Sequence, residues 1–211
     1  MIELQNISLS FEGKVLYQDL SLKVPRGGQL LIKGASGTGK TTLLRMIQGF
    51  IRPDSGKILI DNEELNVMNV WRLRQKMAWV SQDINMGQGR VEAFIKEIYQ
   101  YKNNQSLRYD QARAEKLMAA FRLAPSSLNQ QLEDLSGGEI QRLAIMITLL
   151  LNRDVYLLDE VTSALDQPLK EVVADYFCAM TDQTLIISSH DSVWYKRDIP
   201  VLNLENHGSS T

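Results

Sequence analysis

The sequence predicts an α/β protein built on a mainly parallel β-sheet, and two patterns carry this prediction. Short apolar runs that suit buried strands, such as residues 29–33 and 155–158, alternate along the chain with segments whose apolar residues recur at helical spacing. This alternation is typical of parallel strands covered by helices on both faces. In addition, a glycine-rich loop directly follows the first of these runs, at the point where such a sheet opens its ligand crevice.

The chain is predicted to begin with strands joined by turns. Apolar residues alternate over 2–9 as in a half-buried strand, residues 12–14 turn the chain, and a second strand starts near Val15. Another turn at 25–28 leads into the buried strand 29–33. We therefore expect an antiparallel β part at the amino-terminal end.

Helical segments are predicted in several later stretches. Helical spacing predicts a helix over residues 40–51, and the strand 57–60 follows after a turn. Residues 83–134 hold few strand-like runs, so we expect a mainly helical lobe inserted into the α/β core. The core then resumes with a helix from Gly138, the strand 155–158, a helix after Pro168 and the strand 184–188. In the helix 40–51, the predicted apolar face holds Leu43, Leu44, Ile47 and Phe50. In the helical lobe, one predicted face holds Phe94, Ile98 and Tyr101, and another holds Leu117, Ala120 and Phe121.

The composition argues against a disordered or fibrous protein, against nucleic-acid binding and against a membrane-spanning helix. Of the 211 residues, 44% are hydrophobic and 23% are charged, as in an ordinary globular domain. The net charge of −2 gives no basic footprint for nucleic acid, so we expect no nucleic-acid partner. The single cysteine, Cys178, is expected to be a packed, inert thiol, which fits a reducing compartment. The longest apolar stretch, residues 143–151, is about half of the roughly 20 residues that a membrane-spanning helix needs.

The glycine-rich loop carries the first chemical signal. Gly-Ala-Ser-Gly-Thr-Gly-Lys-Thr over residues 34–41 has the spacing of a phosphate loop, whose glycines let successive N–H groups face one anion. The helix that starts there adds its positive end. Lys40 would reach the β- and γ-phosphates and the Thr41 hydroxyl would bind Mg²⁺; the alternative is a purely structural glycine turn. The predicted nucleotide-binding residues of this loop are Gly34, Ala35, Ser36, Gly37, Thr38, Gly39, Lys40, Thr41 and Thr42.

Two adjacent carboxylates carry the second signal. Asp159 and Glu160 follow the buried strand 155–158, at the edge where an α/β sheet binds its ligands. Asp159 is placed to hold the Mg²⁺ sphere, and Glu160 is the candidate general base for attack on the γ-phosphate. Taken alone, the pair is a weak signal, and a helix cap or a solvated turn would be the default interpretation. Together with the phosphate loop it predicts a metal-dependent nucleotide hydrolase.

A third motif indicates the family. Leu-Ser-Gly-Gly-Glu over residues 135–139, continued by Ile-Gln-Arg, resembles the signature sequence of the ABC ATPases, although a structural Ser-Gly-Gly helix start is the alternative. The resemblance implies a RecA-like core with the antiparallel β part over about 1–82 and 136–206. It also implies a helical subdomain over about 83–135, which leaves 207–211 as a frayed tail. In that family the signature of one subunit closes over the nucleotide held by its partner, which implies nucleotide contacts from Ser136, Gly137 and Gly138.

Further positions match the same family. Gln82 fits the glutamine that touches Mg²⁺ and senses the membrane partner, and residues 163–166 look like the loop that runs along the dimer interface. His190 fits the histidine that contacts the γ-phosphate, although a lone histidine is more often structural. Phe11 aligns with the aromatic residue that stacks on adenine, with a core or turn phenylalanine as the alternative. The resemblance thus implies catalytic roles for Lys40, Gln82, Glu160 and His190, and Mg²⁺ ligands at Thr41, Gln82 and Asp159.

The sequence departs from the family pattern at two places. Ile147 stands where the family usually has an arginine, and residues 83–89 lack the usual proline and phenylalanine. The second departure falls on the surface that would dock a membrane subunit. The compact length and the run 158–166 look most like the small ATPase subunits of the FetAB-type iron exporters, which suggests metal ion export.

The resemblance implies a complete working scheme. We expect an ATP hydrolase that acts as a head-to-tail homodimer with ATP and Mg²⁺ between its subunits, and that powers integral membrane subunits from the cytoplasmic face of the inner (plasma) membrane. The principal alternative is an ABC-type ATPase with a role in DNA repair or translation. Such proteins usually carry coiled-coil insertions, zinc modules or tandem cassettes, for which 211 residues leave no room. A small nucleotide kinase would share the phosphate loop but would not explain the signature or His190.

Overall fold

The computed structural model describes residues 1–11 and 13–206, so Glu12 of the predicted turn and the predicted tail 207–211 lie outside the described residues. The strands are β1 (Ile2–Phe11), β2 (Lys14–Val24), β3 (Gln29–Lys33), β4 (Ser55–Ile60), β5 (Glu63–Glu64), β6 (Met77–Val80), β7 (Val155–Asp159), β8 (Thr184–Ser188) and β9 (Val201–Asn203). The α-helices are α1 (Lys40–Ile47), α2 (Val70–Arg74), α3 (Val91–Gln100), α4 (Gln111–Ala120), α5 (Gly137–Leu150), α6 (Gln167–Cys178) and α7 (Ser192–Tyr195).

Two sheets organise these elements. An antiparallel sheet has the order β2-β1-β4-β5, and a parallel sheet has the order β6-β7-β8-β3-β9. In the parallel sheet, β7 and β8 are central and buried at every residue. The α/β class with an amino-terminal antiparallel part is therefore confirmed.

The parallel sheet separates two hydrophobic cores. Successive residues of a strand point to opposite faces, and Tyr156 and Leu158 accordingly pack with α5, α6 and the helical lobe, whereas Leu157 packs with α1 and the antiparallel sheet. Ile187 and Ile186 divide in the same way. Burial on both faces explains why these strands appear in the sequence as uninterrupted apolar runs.

The predicted helical lobe is present between β6 and α5. It consists of α3, α4 and two 3₁₀ helices, Pro125–Asn129 and Leu132–Asp134. Phe121 and Leu117 are buried there, whereas Tyr101 is the C-cap of α3 and is exposed, so its predicted place on the apolar face is wrong. The backbone turns away from the helix at Tyr101, which carries its ring out of the packed face.

Helix α1 ends earlier than the predicted residue 51. Gly49 adopts a left-handed φ of 71° and donates its N–H to Met46, while Phe50 donates to the carbonyl of Arg45. This pair of bonds is a Schellman motif, which closes a helix at the residue before the glycine. Phe50 consequently leaves the helical face on which we predicted it and is 56% exposed.

Ile147, which replaces the family's usual arginine, is buried among apolar side chains of α5 and its neighbours, so the departure is accommodated by packing. Within residues 1–11 and 13–206, no helix has both the length and the apolar character needed to cross a membrane.

Candidate nucleotide site

A cleft of about 520 Å³ opens where β3, β6, β7 and β8 end. Its walls are formed by the phosphate loop, by residues at and beyond the ends of β7 and β8, and by the adjoining ends of β1 and β2. The side chains and backbone that line it are Phe11, Lys14, Leu16, Ser36, Gly37, Gly39, Lys40, Thr41, Thr42, Gln82, Asp159, Glu160, Ser163 and His190. The structure thus brings together predicted site residues from five separate stretches of the chain.

The phosphate loop depends on glycine at Gly37 and Gly39, which have φ values of 77° and 101°. Other residues rarely adopt such angles. A Cβ atom at Gly39 would also lie 2.5 Å from the Tyr17 hydroxyl, which donates a hydrogen bond to the Gly39 carbonyl. Helix α1 begins at Lys40, within the last residues of this loop, so its positive end lies at the cleft.

Lys40 is the central cation of the cleft and is only 7% exposed. Its Nζ donates to the carbonyls of Gly34 at 2.8 Å and Ala35 at 3.2 Å, and it lies 3.8 Å from Glu160 Oε1 and 3.2 Å from His190 Nε2. Burial lowers the pKa of Lys40, and the nearby carboxylates act against this shift. A phosphate entering the cleft would meet a lysine already aimed along the loop.

Glu160 is held by the last residue of β8 and by His190, which follows that strand. Its N–H donates to the Ser188 carbonyl at 2.9 Å, its Oε2 accepts the backbone N–H of His190 at 3.2 Å, and its Oε1 lies 3.0 Å from His190 Nε2. Burial raises the pKa of Glu160, and the contacts with His190 and Lys40 oppose this effect. A buried carboxylate with a raised pKa is suited to accept a proton from an attacking water.

The donor set fits a magnesium ion. Asp159 is 1% exposed; its Oδ1 accepts a hydrogen bond from Ser188 Oγ, while its Oδ2 is buried without a hydrogen-bond partner among the described residues. Thr41 and Gln82 line the same cleft and offer further oxygen ligands, the type that Mg²⁺ prefers. Within the described part of the chain no three His, Cys, Asp or Glu side chains form a metal cage. The set therefore fits an ion whose shell is completed by phosphate and water oxygens.

Gln82, Phe11 and His190 lie at the accessible rim of the cleft. Gln82 is exposed just beyond β6, and the Phe11 ring is 59% exposed at the end of β1. The His190 side chain is 55% exposed although its neighbour Glu160 is buried. These three side chains can therefore contact a ligand or a second chain without rearrangement of the core.

The signature residues lie outside this cleft. Ser136 is the N-cap of α5: its Oγ accepts the N–H of Glu139 at 3.3 Å, and Glu139 Oε2 accepts from the Ser136 hydroxyl at 2.6 Å and from its N–H at 3.0 Å. This is a complete capping box. Ser136 and Gly137 are exposed, and Gly138 packs near the Ala164 carbonyl in the predicted interface loop. Gly34, Ala35 and Thr38 also do not line the cleft; Thr38 instead closes the loop by bonding to the Ala35 carbonyl at 2.9 Å.

Several residues of the site are not among the predicted ones. Lys14 lines the cleft and donates to the Gly37 carbonyl at 3.3 Å, Tyr17 supports the phosphate loop, and Ser188 binds Asp159. Lys14 and Tyr17 belong to a strand of the antiparallel sheet, where no local motif marks them. Ser188 could have been suspected from its place at the end of a buried apolar run.

Comparison with known proteins identifies the family. The ABC transporter family model matches residues 17–163. Relatives include an ABC transporter ATP-binding protein of Clostridium tetani, 30% identical over 91% of this chain and 44% of the relative, and the osmoprotectant import ATP-binding protein OsmV of Salmonella typhimurium, 34% identical over 90% of this chain and 52% of the relative. The chain spans about half the length of these relatives.

Comparison with solved structures agrees with this family. A dimeric ATP-binding cassette in a post-hydrolysis state, bound to ADP and Pi, superposes with a TM-score of 0.80 at 25% identity and covers 97% of this chain and 95% of that one. The chain therefore belongs to the ABC transporter family, and its fold is that of an ATP-binding cassette.

Proposed function

We propose that the chain is the ATP-binding and ATP-hydrolysing subunit of an ABC transporter. One observation carries the proposal: the phosphate loop, Lys40, Asp159, Glu160 and His190 converge on a single cleft. The related cassette with ADP and Pi supports hydrolysis as the reaction. Transport is supported by the names of the relatives.

Each residue has a role in this proposal. The phosphate loop and Lys40 bind the triphosphate, Phe11 stacks on the adenine, and Thr41, Gln82 and Asp159 hold Mg²⁺. When bound, Mg²⁺ neutralises charge on the β- and γ-phosphate oxygens. Glu160 takes the proton of the attacking water, and His190 holds that carboxylate in place and contacts the γ-phosphate.

The proposed working unit is a head-to-tail homodimer. The exposed helix start at Ser136, Gly137 and Gly138 contributes nothing to the cleft of its own chain, so it is free to cover the nucleotide of a second chain. ATP binds the closed dimer better than the open one because only the closed dimer offers both segments to the γ-phosphate. Closure would be transmitted near Gln82 and the helical lobe to integral membrane subunits, which place the chain at the cytoplasmic face of the plasma membrane.

Replacement of Lys40 tests the nucleotide site. Lys40→Ala removes a buried charge-assisted contact to phosphate, so the affinity for ATP–Mg²⁺ should fall by about 10–100-fold in equilibrium titration. The control is Lys57→Ala, because Lys57 is an exposed lysine of β4 that pairs with Glu64 of β5. Equal affinities of the parent chain and Lys40→Ala would contradict the assignment.

A further inference from the structure

A polar network that the reaction does not itself use lies directly behind Glu160 and His190. Asp191, the residue after His190, accepts a hydrogen bond from the Thr162 hydroxyl through Oδ2 and an ion pair from Lys170 through Oδ1 at 2.6 Å. Lys170 and Asp191 are largely buried, with side chains 17% and 21% exposed. The Trp194 indole N–H also donates to the Thr162 hydroxyl at 3.2 Å.

The network joins two loops that carry the chemistry. Thr162 lies two residues beyond Glu160, and Asp191 is covalently next to His190, so their hydrogen bond connects the loop after β7 with the loop after β8. Lys170 adds helix α6, which begins immediately after the predicted interface loop 163–166. The three elements therefore meet at one carboxylate.

The contacts around His190 show what this connection can control. The backbone N–H of His190 donates to Glu160 Oε2, so any shift of the His190 backbone moves the hydrogen bond that aims the carboxylate. Ser189 supports the same segment, because its Oγ accepts the Asp191 N–H at 3.1 Å and its carbonyl accepts the Tyr195 hydroxyl at 2.9 Å. Beyond these contacts, the loop that carries His190 is attached to the loop after β7 and to α6 through Asp191, which contacts Thr162 and Lys170.

We infer that Asp191 is a positioning residue, which with Thr162 and Lys170 holds His190 against Glu160 and links this contact to helix α6. The inference rests on the proposed ATP hydrolysis. A small displacement of a catalytic group can cost a large factor in rate with little effect on substrate binding. Loss of the network should therefore lower kcat and leave KM for ATP unchanged.

Matched substitutions at Thr162 test the inference. Thr162→Val keeps the shape of the side chain but removes the hydroxyl, and kcat should fall at least about tenfold while KM for ATP–Mg²⁺ stays within about twofold. Thr162→Ser restores the hydroxyl and should recover most of kcat. Asp191→Ala removes the same connection and also the Lys170 ion pair, so it should lower kcat at least as much as Thr162→Val. The double variant should be no slower than Asp191→Ala alone, because the Thr162 hydroxyl then has no carboxylate left to bind.

Two controls separate positioning from packing. Trp194→Phe removes the other hydrogen bond to Thr162 and should lower thermal stability without the loss of kcat; an equal loss of kcat would overturn the inference. Lys196→Met removes an exposed lysine paired with Glu171 and should behave as the parent chain.

A spectroscopic readout keeps the inference separate from the proposed function. The chain has two histidines, so His207→Gln leaves His190 as the single source of imidazole NMR signals. At one fixed pH, Thr162→Val should shift or broaden these signals, whereas Lys196→Met should not. A parent chain without ATPase activity contradicts the proposed function, whereas unchanged His190 signals and unchanged kcat in Thr162→Val overturn the positioning role.

Discussion

Glu160 and Glu139 stand beside the two segments that are proposed to contact the nucleotide's phosphates, and their surroundings shift their pKa values in opposite directions. Burial raises the pKa of Glu160, which lies behind the phosphate loop. Two hydrogen bonds from Ser136 lower the pKa of Glu139, which lies at the start of the signature helix. The surroundings of Glu160 thus favour its uptake of a proton, and those of Glu139 keep its carboxylate charged.

This difference bears on how the two segments can act. The cleft collects cations, a helix end and an acceptor for a proton in one place, as a reaction site requires. In the signature helix the capping box satisfies the N–H groups of Ser136 and Glu139, and the first residues, Ser136 and Gly137, are exposed to solvent. We therefore expect the cleft to bind nucleotide in the single chain and the signature to act only against a second chain.

The largest effect is expected from Glu160→Gln. It removes the proposed base and keeps the size of the side chain, so turnover should fall by on the order of 10²-fold or more while ATP binding persists. The ATP-bound dimer should then accumulate, which size-exclusion chromatography with ATP–Mg²⁺ detects. Glu97→Gln, an exposed position on α3, is the control. Hydrolysis by Glu160→Gln at the parent rate would show that another group is the base.

Ser136→Arg tests whether the signature acts across a dimer. The added bulk and charge at an exposed helix start should lower turnover at least about tenfold and leave the ATP affinity of the single chain unchanged. A one-to-one mixture with Lys40→Ala should recover about a quarter of the parent rate, because half of the pairs are mixed and each mixed pair holds one intact composite site.

Ser106→Arg, at an exposed position in the helical lobe, is the matched control for added charge. If the mixture recovers no activity while each variant still binds and folds, the two segments do not complement each other in trans.

Glu139→Gln should have a smaller effect than Ser136→Arg, and it should strengthen the ATP-bound dimer instead of impairing it. The amide can still cap α5, but it no longer sets a negative charge beside the position where the partner's γ-phosphate would lie. ATP-driven dimerisation should therefore become severalfold tighter, as measured by sedimentation equilibrium over a range of ATP concentrations. Weaker dimerisation in this variant would indicate that the carboxylate itself makes a needed contact.

The smallest effect is a difference in the pH dependence of stability. Glu139 has a lowered pKa when folded, so its contribution is present above its ordinary value of 4.5 and is lost as the pH falls. Glu160 has a raised pKa, so its contribution is present below 4.5 and is lost as the pH rises. Urea unfolding from about pH 4 to pH 8 should show parent-minus-variant stability rising with pH for Glu139→Gln and falling for Glu160→Gln. Equal slopes would remove the contrast between the two carboxylates.

Local sequence predicted most of the parallel core and the phosphate loop. The strands β3, β7 and β8 are continuous apolar runs because both of their faces are buried, and the loop needs glycine at fixed positions whatever surrounds it. Segments whose structure depends on distant partners were not predicted. The three residues of β9 are ordered by pairing with β3, and β5 is a two-residue edge strand beside β4.

The same reasoning applies to the site. Asp159 and Glu160 could be assigned from their motif, and their roles stay predictions until they are tested in solution. The network of Thr162, Lys170 and Asp191 could not be foreseen, because it joins side chains up to 29 positions apart through tertiary packing alone. Phe50 shows the converse case: Gly49 is a visible signal for the end of α1, and the prediction of a helix as far as residue 51 is wrong because it ignores that glycine.

The backbone of Glu160 adopts a φ of 49°, a region that glycine and asparagine occupy more readily than glutamate. This conformation costs roughly 1–2 kcal/mol, and burial of the carboxylate adds to the cost. Folding and reaction therefore make opposing demands on this position. Selection of variants for heat resistance alone would favour glycine or asparagine at position 160 and would yield a more stable protein that lacks the proposed base.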